Sequence, residues 1–274
     1  MQLWLGRVFL MLCLTAIGCA TGSHQENKDE ALRHFKHGLD LRSKGDIDGA
    51  IAKYRTALRL DPNNAQIHTS LGGALRTKGD VQGAIDEFRT ALRLDPNHVA
   101  AHYNLGLALQ TKGDVDEAIT EYRTALRLDP NYVVAHVNLG VAFAAKGDVD
   151  GAIAENRTAL RLDPNHVQAH HNLGLNLGRK GDWDEAIAEY RTALRLDPNR
   201  FETHYNLGIA LQAQGKKTEA KSELTEALRF LPDTPANQKI YWICEATPSR
   251  AGVIEIKIKA VGGDPLYIGE LSGL

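Results

Sequence analysis

Hydrophobic and polar positions in this chain recur at intervals of 34 residues. Glycine returns at Gly38, Gly72, Gly106, Gly140, Gly174 and Gly208. Alanine forms two columns, one from Ala50 to Ala220 and one from Ala57 to Ala227. Between the alanines stands a large side chain: Tyr54, Phe88, Tyr122, Tyr190 or Leu224. Small against large lets neighbouring helices interdigitate at the density of a protein interior. The polar punctuation has the same period. In the third copy, "HYNLGLAL" (His102 to Leu109) reads as a helix that "TKGD" breaks, with Gly113 at its end and Asp114 as the next N-cap. Glu117, three residues on, completes an acidic capping-box pattern. "EAITEYRTALRL" is the second helix, stopped by Pro130, and Asn131 is placed to cap the helix after it. The pattern predicts six helix pairs over 31–234, as 31–64, 65–98, 99–132, 133–166, 167–200 and 201–234. One pair cannot bury its own apolar face, so the copies stack into a solenoid.

The pattern changes at both ends. "VFLMLCLTAIG" is an apolar run of 11 residues behind a single Arg7, too short for a bilayer span and suited to a signal peptide over 1–18. The polar "ATGSHQENKD" reads as a flexible tether, giving a segment 19–30 ahead of the repeats. In the tail, 235–274, "NQKIYWICEA" is suited to a capping helix. "VIEIKIKAV" alternates as a strand does, and "LYIG" is placed to return as a small hairpin that either docks or stays loose.

Small residue, alanine, ring, alanine and proline at these spacings resemble the tetratricopeptide repeat, and the resemblance covers 204 of 274 residues. It implies an all-α superhelical solenoid of six helix-turn-helix repeats, with a short tail of helix and β-hairpin character. "AIGC", Ala16 to Cys19, resembles the lipobox of bacterial lipoproteins, although Ala16 stands where leucine is usual. That resemblance implies acylation of Cys19 and a lipid anchor in the cell envelope, at the outer membrane by the sorting rule for Ala20. Anchor and repeats together resemble outer-membrane lipoproteins such as the pilotins of type IV pili. Three departures stand out. Asn156 replaces the seam ring, Lys36 and His37 suit an exposed first repeat, and "QGK" with "FLPD" marks repeat six as the other end.

Composition narrows the function. A net charge of −2 gives no electrostatic footprint for nucleic acid. No P-loop, nucleophile elbow, zincin motif or dinucleotide fingerprint occurs, so no catalytic residue, cofactor or small-molecule substrate is expected. Of three cysteines, Cys13 leaves with the signal, Cys19 carries lipid and Cys244 has no partner. Three polar columns remain. Histidine fills the fourth position of every repeat from His34 to His204, with His98 and His166 four residues ahead of His102 and His170. A metal site is one reading, but equivalent positions lie about 10 Å apart and no carboxylate joins the column, so packing at the helix seam is preferred. Arginine pairs from Arg55 and Arg59 to Arg191 and Arg195 lie on second helices, as a solvated face or a docking strip for an acidic partner.

Asparagine forms the third column: Asn104, Asn138, Asn172 and Asn206. In the family this position faces the concave groove. A primary amide both donates and accepts, which matches a peptide backbone. The column therefore reads either as a ladder for an extended peptide or as a residue merely common at that position. Tyr103, Val137, His171 and Tyr205 lie beside it. The expected function is a non-enzymatic, membrane-anchored scaffold that binds protein segments during assembly or regulation of an envelope complex. A general periplasmic adaptor and a histidine-rich metal-binding protein are the alternatives.

Overall fold

The computed structural model describes residues 25–230, 240–243, 253–260 and 266–272. The helices are α1 (25–43), α2 (Ile47–Leu60), α3 (Ala65–Lys78), α4 (Val81–Leu94), α5 (Val99–Lys112), α6 (Val115–Leu128) and α7 (Val133–Ala145). They continue with α8 (Val149–Leu162), α9 (Val167–Lys180), α10 (Trp183–Leu196), α11 (Phe201–Ala213) and α12 (Lys217–Arg229). Consecutive helix pairs pack as repeats, and the fold is an all-α solenoid. The chain divides into two compact units, Met1–Asp148 and Val149–Leu274. No helix of the described residues is long and apolar enough to cross a membrane.

In the first unit, the alanine columns and Tyr54, Phe88 and Tyr122 form the core with the rings at 0% exposure. A Cβ on Gly106 would stand 2.6 Å from Tyr122 Cε1, so only glycine lets α5 approach that ring. In the second unit, Leu173, Leu177, Ala186, Ile187, Tyr190, Leu207 and Leu211 form the core. Burying each such large side chain contributes about 1.5–3 kcal/mol. Asn156, on α8, is also at 0% exposure. Its Nδ2 donates to Ala152 O on its own helix at 2.7 Å, and its Oδ1 is buried without a partner.

Gly79, Gly113 and Gly181 end their helices in the left-handed region, as the breaker predicts. The capping expectations need correction. Asp46 and Asp80 accept from Gly49 N and Gly83 N, but Asp114 and Asp182 make no side-chain cap bond. In those two repeats the acid that would complete the box holds the preceding repeat instead, Glu117 on Arg89 at 3.0 Å and Glu185 on Arg157 at 2.8 Å. The N-cap of α7 is Tyr132, not Asn131, whose N–H donates to Asp129 Oδ1.

Both flanks also differ from expectation. Residues 25–30, read as tether, are helical, and Gln25 donates to Asp29 at 3.1 Å across one turn. Acidic Glu26, Asp29 and Glu30 suit the first turns of a helix. Ile240–Ile243, read as helix, is strand β1, consistent with its β-branched and aromatic composition. It pairs antiparallel with β2 (Val253–Ala260), and β2 pairs antiparallel with β3 (Leu266–Ser272). Cys13, Cys19 and Cys244, the signal peptide and residues 19–24 lie outside the described residues.

Candidate functional site

The asparagine column sits on the first helices of the repeats, and its hydrogen bonds differ between the two units. In the first unit, Asn104 Nδ2 donates to Ala100 O at 2.7 Å. Asn138 Nδ2 donates to Val134 O at 2.8 Å and to Tyr103 Oη at 3.1 Å. Both amides are thus half-buried and tied back to their own helix one turn earlier, not freely solvated. Asn138 thus has both N–H groups used and its oxygen left for another molecule, while Asn104 keeps one N–H as well as its oxygen. Tyr103 lies 5.0 Å from the Tyr132 ring and 6.1 Å from Tyr122. Burial raises its phenol pKa, and the Tyr132 phenol adds to that against the opposing Arg76 and Asn138. Val137 is buried at the position of Tyr103 in the next repeat.

In the second unit, the ladder is embedded in other polar groups. Gln168 Nε2 donates to Asn172 Oδ1 at 2.7 Å, leaving Asn172 Nδ2 buried without an acceptor. Arg200 Nη2 donates to Gln168 Oε1, and Arg200 Nε is likewise buried without a partner. Asn176 Nδ2 donates to Asn172 O at 2.8 Å, and Arg179 reaches Asn176 Oδ1 at 3.3 Å. His171 is 7% exposed, with Nδ1 2.9 Å from Thr203 Oγ1 and its ring 5.9 Å from Tyr190. Burial, and then the Arg200 charge, lower its pKa to about 4, against an opposing contribution from Glu202. It is therefore neutral near pH 7. Tyr205 stacks on Phe201 at 6.3 Å, and Tyr205 and Asn206 are half-buried.

Arg200, Thr203 and Asn176 were not singled out in the sequence. A signal existed in the 32-residue interval from Gln168 to Arg200. The same interval separates Gln66 from His98, whose Nε2 lies 3.2 Å from Gln66 Oε1.

The histidine column is a seam, and it does have carboxylates. Nδ1 of His68, His102, His170 and His204 lies 2.5–2.7 Å from Glu87, Glu121, Glu189 and Glu223 respectively. Nε2 of each lies 2.9–3.0 Å from the carbonyl of a proline six residues earlier. A carbonyl only accepts, so Nε2 donates to it, and at His68 and His102 the carboxylate beside Nδ1 favours a second proton there. The pKa of His68 is raised: burial opposes the charge, but Glu87 and Pro62 outweigh it. That of His102 is raised first by the Glu121 hydrogen bond, against burial. His166 Nδ1 accepts from Ala169 N at 3.3 Å as a cap and is not brought to His170 as a ligand pair. Among the described residues no group of three or more metal-ligating side chains occurs.

The arginine columns tie repeats together. Arg89, Arg157 and Arg191 pair with Glu117, Glu185 and Glu219, while Arg59, Arg93 and Arg161 donate to a threonine one turn back. Such exposed pairs contribute at most about 1 kcal/mol each.

Models of the tetratricopeptide repeat match residues 35–99, 82–133, 103–167 and 201–233, and a further TPR repeat model matches 176–215. No curated protein matches the chain. Among solved structures, a crystal structure of MamA is 31% identical, with a TM-score of 0.55, over 59% of this chain and 94% of that one. Pseudomonas aeruginosa PilF has a TM-score of 0.67 at 21% identity, covering 77% of this chain and 95% of that one. YrrB, described as a TPR protein with an unusual peptide-binding site, has a TM-score of 0.55 at 22% identity, covering 66% and 93%.

Proposed function

Because this chain belongs to the tetratricopeptide repeat family, we propose that it is a non-enzymatic scaffold whose first helices hold an extended protein segment. The carrying observation is the amide pair of the first unit. Asn138 donates to Val134 O and Tyr103 Oη, Asn104 donates once to Ala100 O, and both carry amide oxygens one repeat apart that can accept from backbone N–H groups. Tyr103 and Tyr132 supply an aromatic surface beside them. The peptide-binding site reported for YrrB supports such use of this fold.

The test is an array of unrelated 12-residue peptides probed with the full chain. The Asn104→Ala/Asn138→Ala double variant loses two bonds of roughly 0.5–1.5 kcal/mol each, so binding should weaken by about tenfold or more. Arg127→Gln, on the second helix of the same repeat as Asn104, should leave the array unchanged. Equal binding by the double variant and the parent would refute the reading.

The scaffold is also proposed to be membrane-anchored through acylated Cys19, and to act in assembly or regulation of a cell-envelope complex. The support is the "AIGC" junction behind a short apolar run. Firm anchoring needs two or more acyl chains, as lipoproteins carry. Cys19→Ser should release the protein from membranes or leave it unprocessed. Identical fractionation, with a mature N-terminus elsewhere, would leave the general adaptor as the better reading.

A further inference from the structure

The second unit holds a guanidinium whose bonding is incomplete in a specific way. Arg200 can present a two-donor edge, Nε–H beside Nη2–H, of the kind that takes both oxygens of one carboxylate. In this structure Nη2 is matched by the single amide oxygen of Gln168, and Nε is buried with no acceptor. One amide oxygen satisfies one donor of such an edge, whereas a carboxylate satisfies two.

The mismatch continues through the amide. Gln168 donates to Asn172 Oδ1, and Asn172 Nδ2, 93% buried at the residue level, also finds no acceptor. Orphaned donors therefore stand on both sides of Gln168, and no orphaned acceptor accompanies them in this network. A buried donor left unmatched loses its water partners without replacement, and an excess of donors calls for a ligand that only accepts.

Gln168 itself is half-buried and bonds both Arg200 and Asn172, so one side of it reaches solvent. The charges agree. Arg179 closes the other end of the network, and His171 beside it is neutral.

We propose that Gln168 is a placeholder, and that the Nε–Nη2 edge of Arg200 receives the carboxylate of an acidic residue in the segment bound by this unit. The inference rests on the protein-segment reading above. It adds a charge preference to a face that would otherwise read backbone alone. Gln168 moves aside, a neutral acceptor on Arg200 is replaced by an ionised one, and such bonds are roughly twice as strong as neutral ones.

The experiment uses the full chain and two fluorescein-labelled octapeptides with blocked termini, one alternating glutamate and alanine, the other glutamine and alanine. Fluorescence anisotropy should show the glutamate peptide binding roughly tenfold tighter, about 1.4 kcal/mol. Arg200→Gln should abolish that preference, and Arg195→Gln, an exposed second-helix arginine of the same unit, should retain it. Gln168→Ala should tighten the glutamate peptide by removing the placeholder, and this gives an independent reading if Arg200→Gln fails to fold. Equal affinities in the parent protein, a preference that survives Arg200→Gln, or no gain in Gln168→Ala overturns the carboxylate inference while the scaffold reading stands. If neither peptide binds at millimolar concentration, both fall.

Discussion

The two units use one repeat pattern to build first-helix faces of different chemistry. In the first unit, Tyr103 and Tyr132 meet as tilted rings beside Asn104 and Asn138, each of which donates an amide N–H to its own helix. In the second, histidine replaces tyrosine at His171, Gln168 replaces the aliphatic residue of repeats three and four, and Arg200 precedes α11. With these changes Asn172 bonds the side chain of Gln168 one turn earlier rather than a backbone carbonyl, and Asn172 Nδ2 and Arg200 Nε are left over. Equal spacing in the sequence thus gives amides that donate to helix carbonyls in one unit and an amide held in a side-chain network with Gln168 and Arg200 in the other. What a repeat recognises depends on its neighbours along the column as much as on the residue that names the column.

The largest way to break the contrast is through acid. Burial, with Arg200, lowers the pKa of His171 to about 4, against about 6.5 in an unfolded chain. The folded state therefore binds fewer protons than the unfolded state between those values. The stability this contributes is complete above about pH 6.5 and is lost as pH falls toward 4, with a total on the order of 3 kcal/mol. His171→Tyr restores the residue that occupies the position in Tyr103 and Tyr205. Urea unfolding from pH 7 to 4.5 should show the acid loss in the parent and a shallower one in the variant. Parallel pH profiles would mean that His171 is not held neutral by its surroundings.

Asn156 sharpens the contrast from inside the second unit. Its siblings Tyr54, Phe88, Tyr122 and Tyr190 are buried rings, and Asn156 is equally buried with one oxygen unmatched. Asn156→Leu removes that oxygen and adds apolar volume. The gain should be roughly 1–3 kcal/mol, seen as a higher midpoint in thermal melts. An unchanged or lower midpoint would show that the oxygen is already satisfied or that the site has no room.

The helices were legible because apolar columns, glycine ends and "DPN" stops are local signals, and each acts within one turn. The glycine column read correctly as a close approach: Gly106 meets Tyr122 as the small-against-large pattern implies. The capping box at Asp114 failed because both ends are engaged elsewhere: the Asp114 N–H donates to Leu109 O, and Glu117 pairs with Arg89, 28 residues earlier. "IYWI" failed as a helix because β-branched and aromatic side chains favour a strand once β2 is available to pair with it. The polarity of the asparagine ladder was not legible. The direction in which an amide points is decided by whichever acceptor or donor lies nearest, an i−4 carbonyl for Asn138 but a glutamine side chain for Asn172. The carboxylate partners of the histidines lie 19 residues on, across a helix pair, and only packing brings them together.

Those partners supply the smallest prediction, which runs opposite in pH to the first. His68 and His102 belong to the first unit, and their folded pKa values are raised above the unfolded value near 6.5. For His68, burial and the Arg93 charge oppose protonation, and the Glu87 and Pro62 bonds prevail. For His102, the Glu121 bond leads, with burial and Arg127 opposing it. A raised folded pKa means the folded state holds the proton more tightly. The contribution is therefore complete below about pH 6.5 and is lost as pH rises through the folded value. Glu87→Gln/Glu121→Gln keeps the shape but removes the charge that retains the proton. Each pair should contribute roughly 0.5–1.5 kcal/mol, so the parent should lose stability as pH rises above about 6.5 while the double variant starts lower and stays flatter. Combined with His171→Tyr, the stability profile should lose a sloping limb on each side. An alkaline limb that persists in the double variant would place its origin in other groups and remove the first unit's half of the contrast.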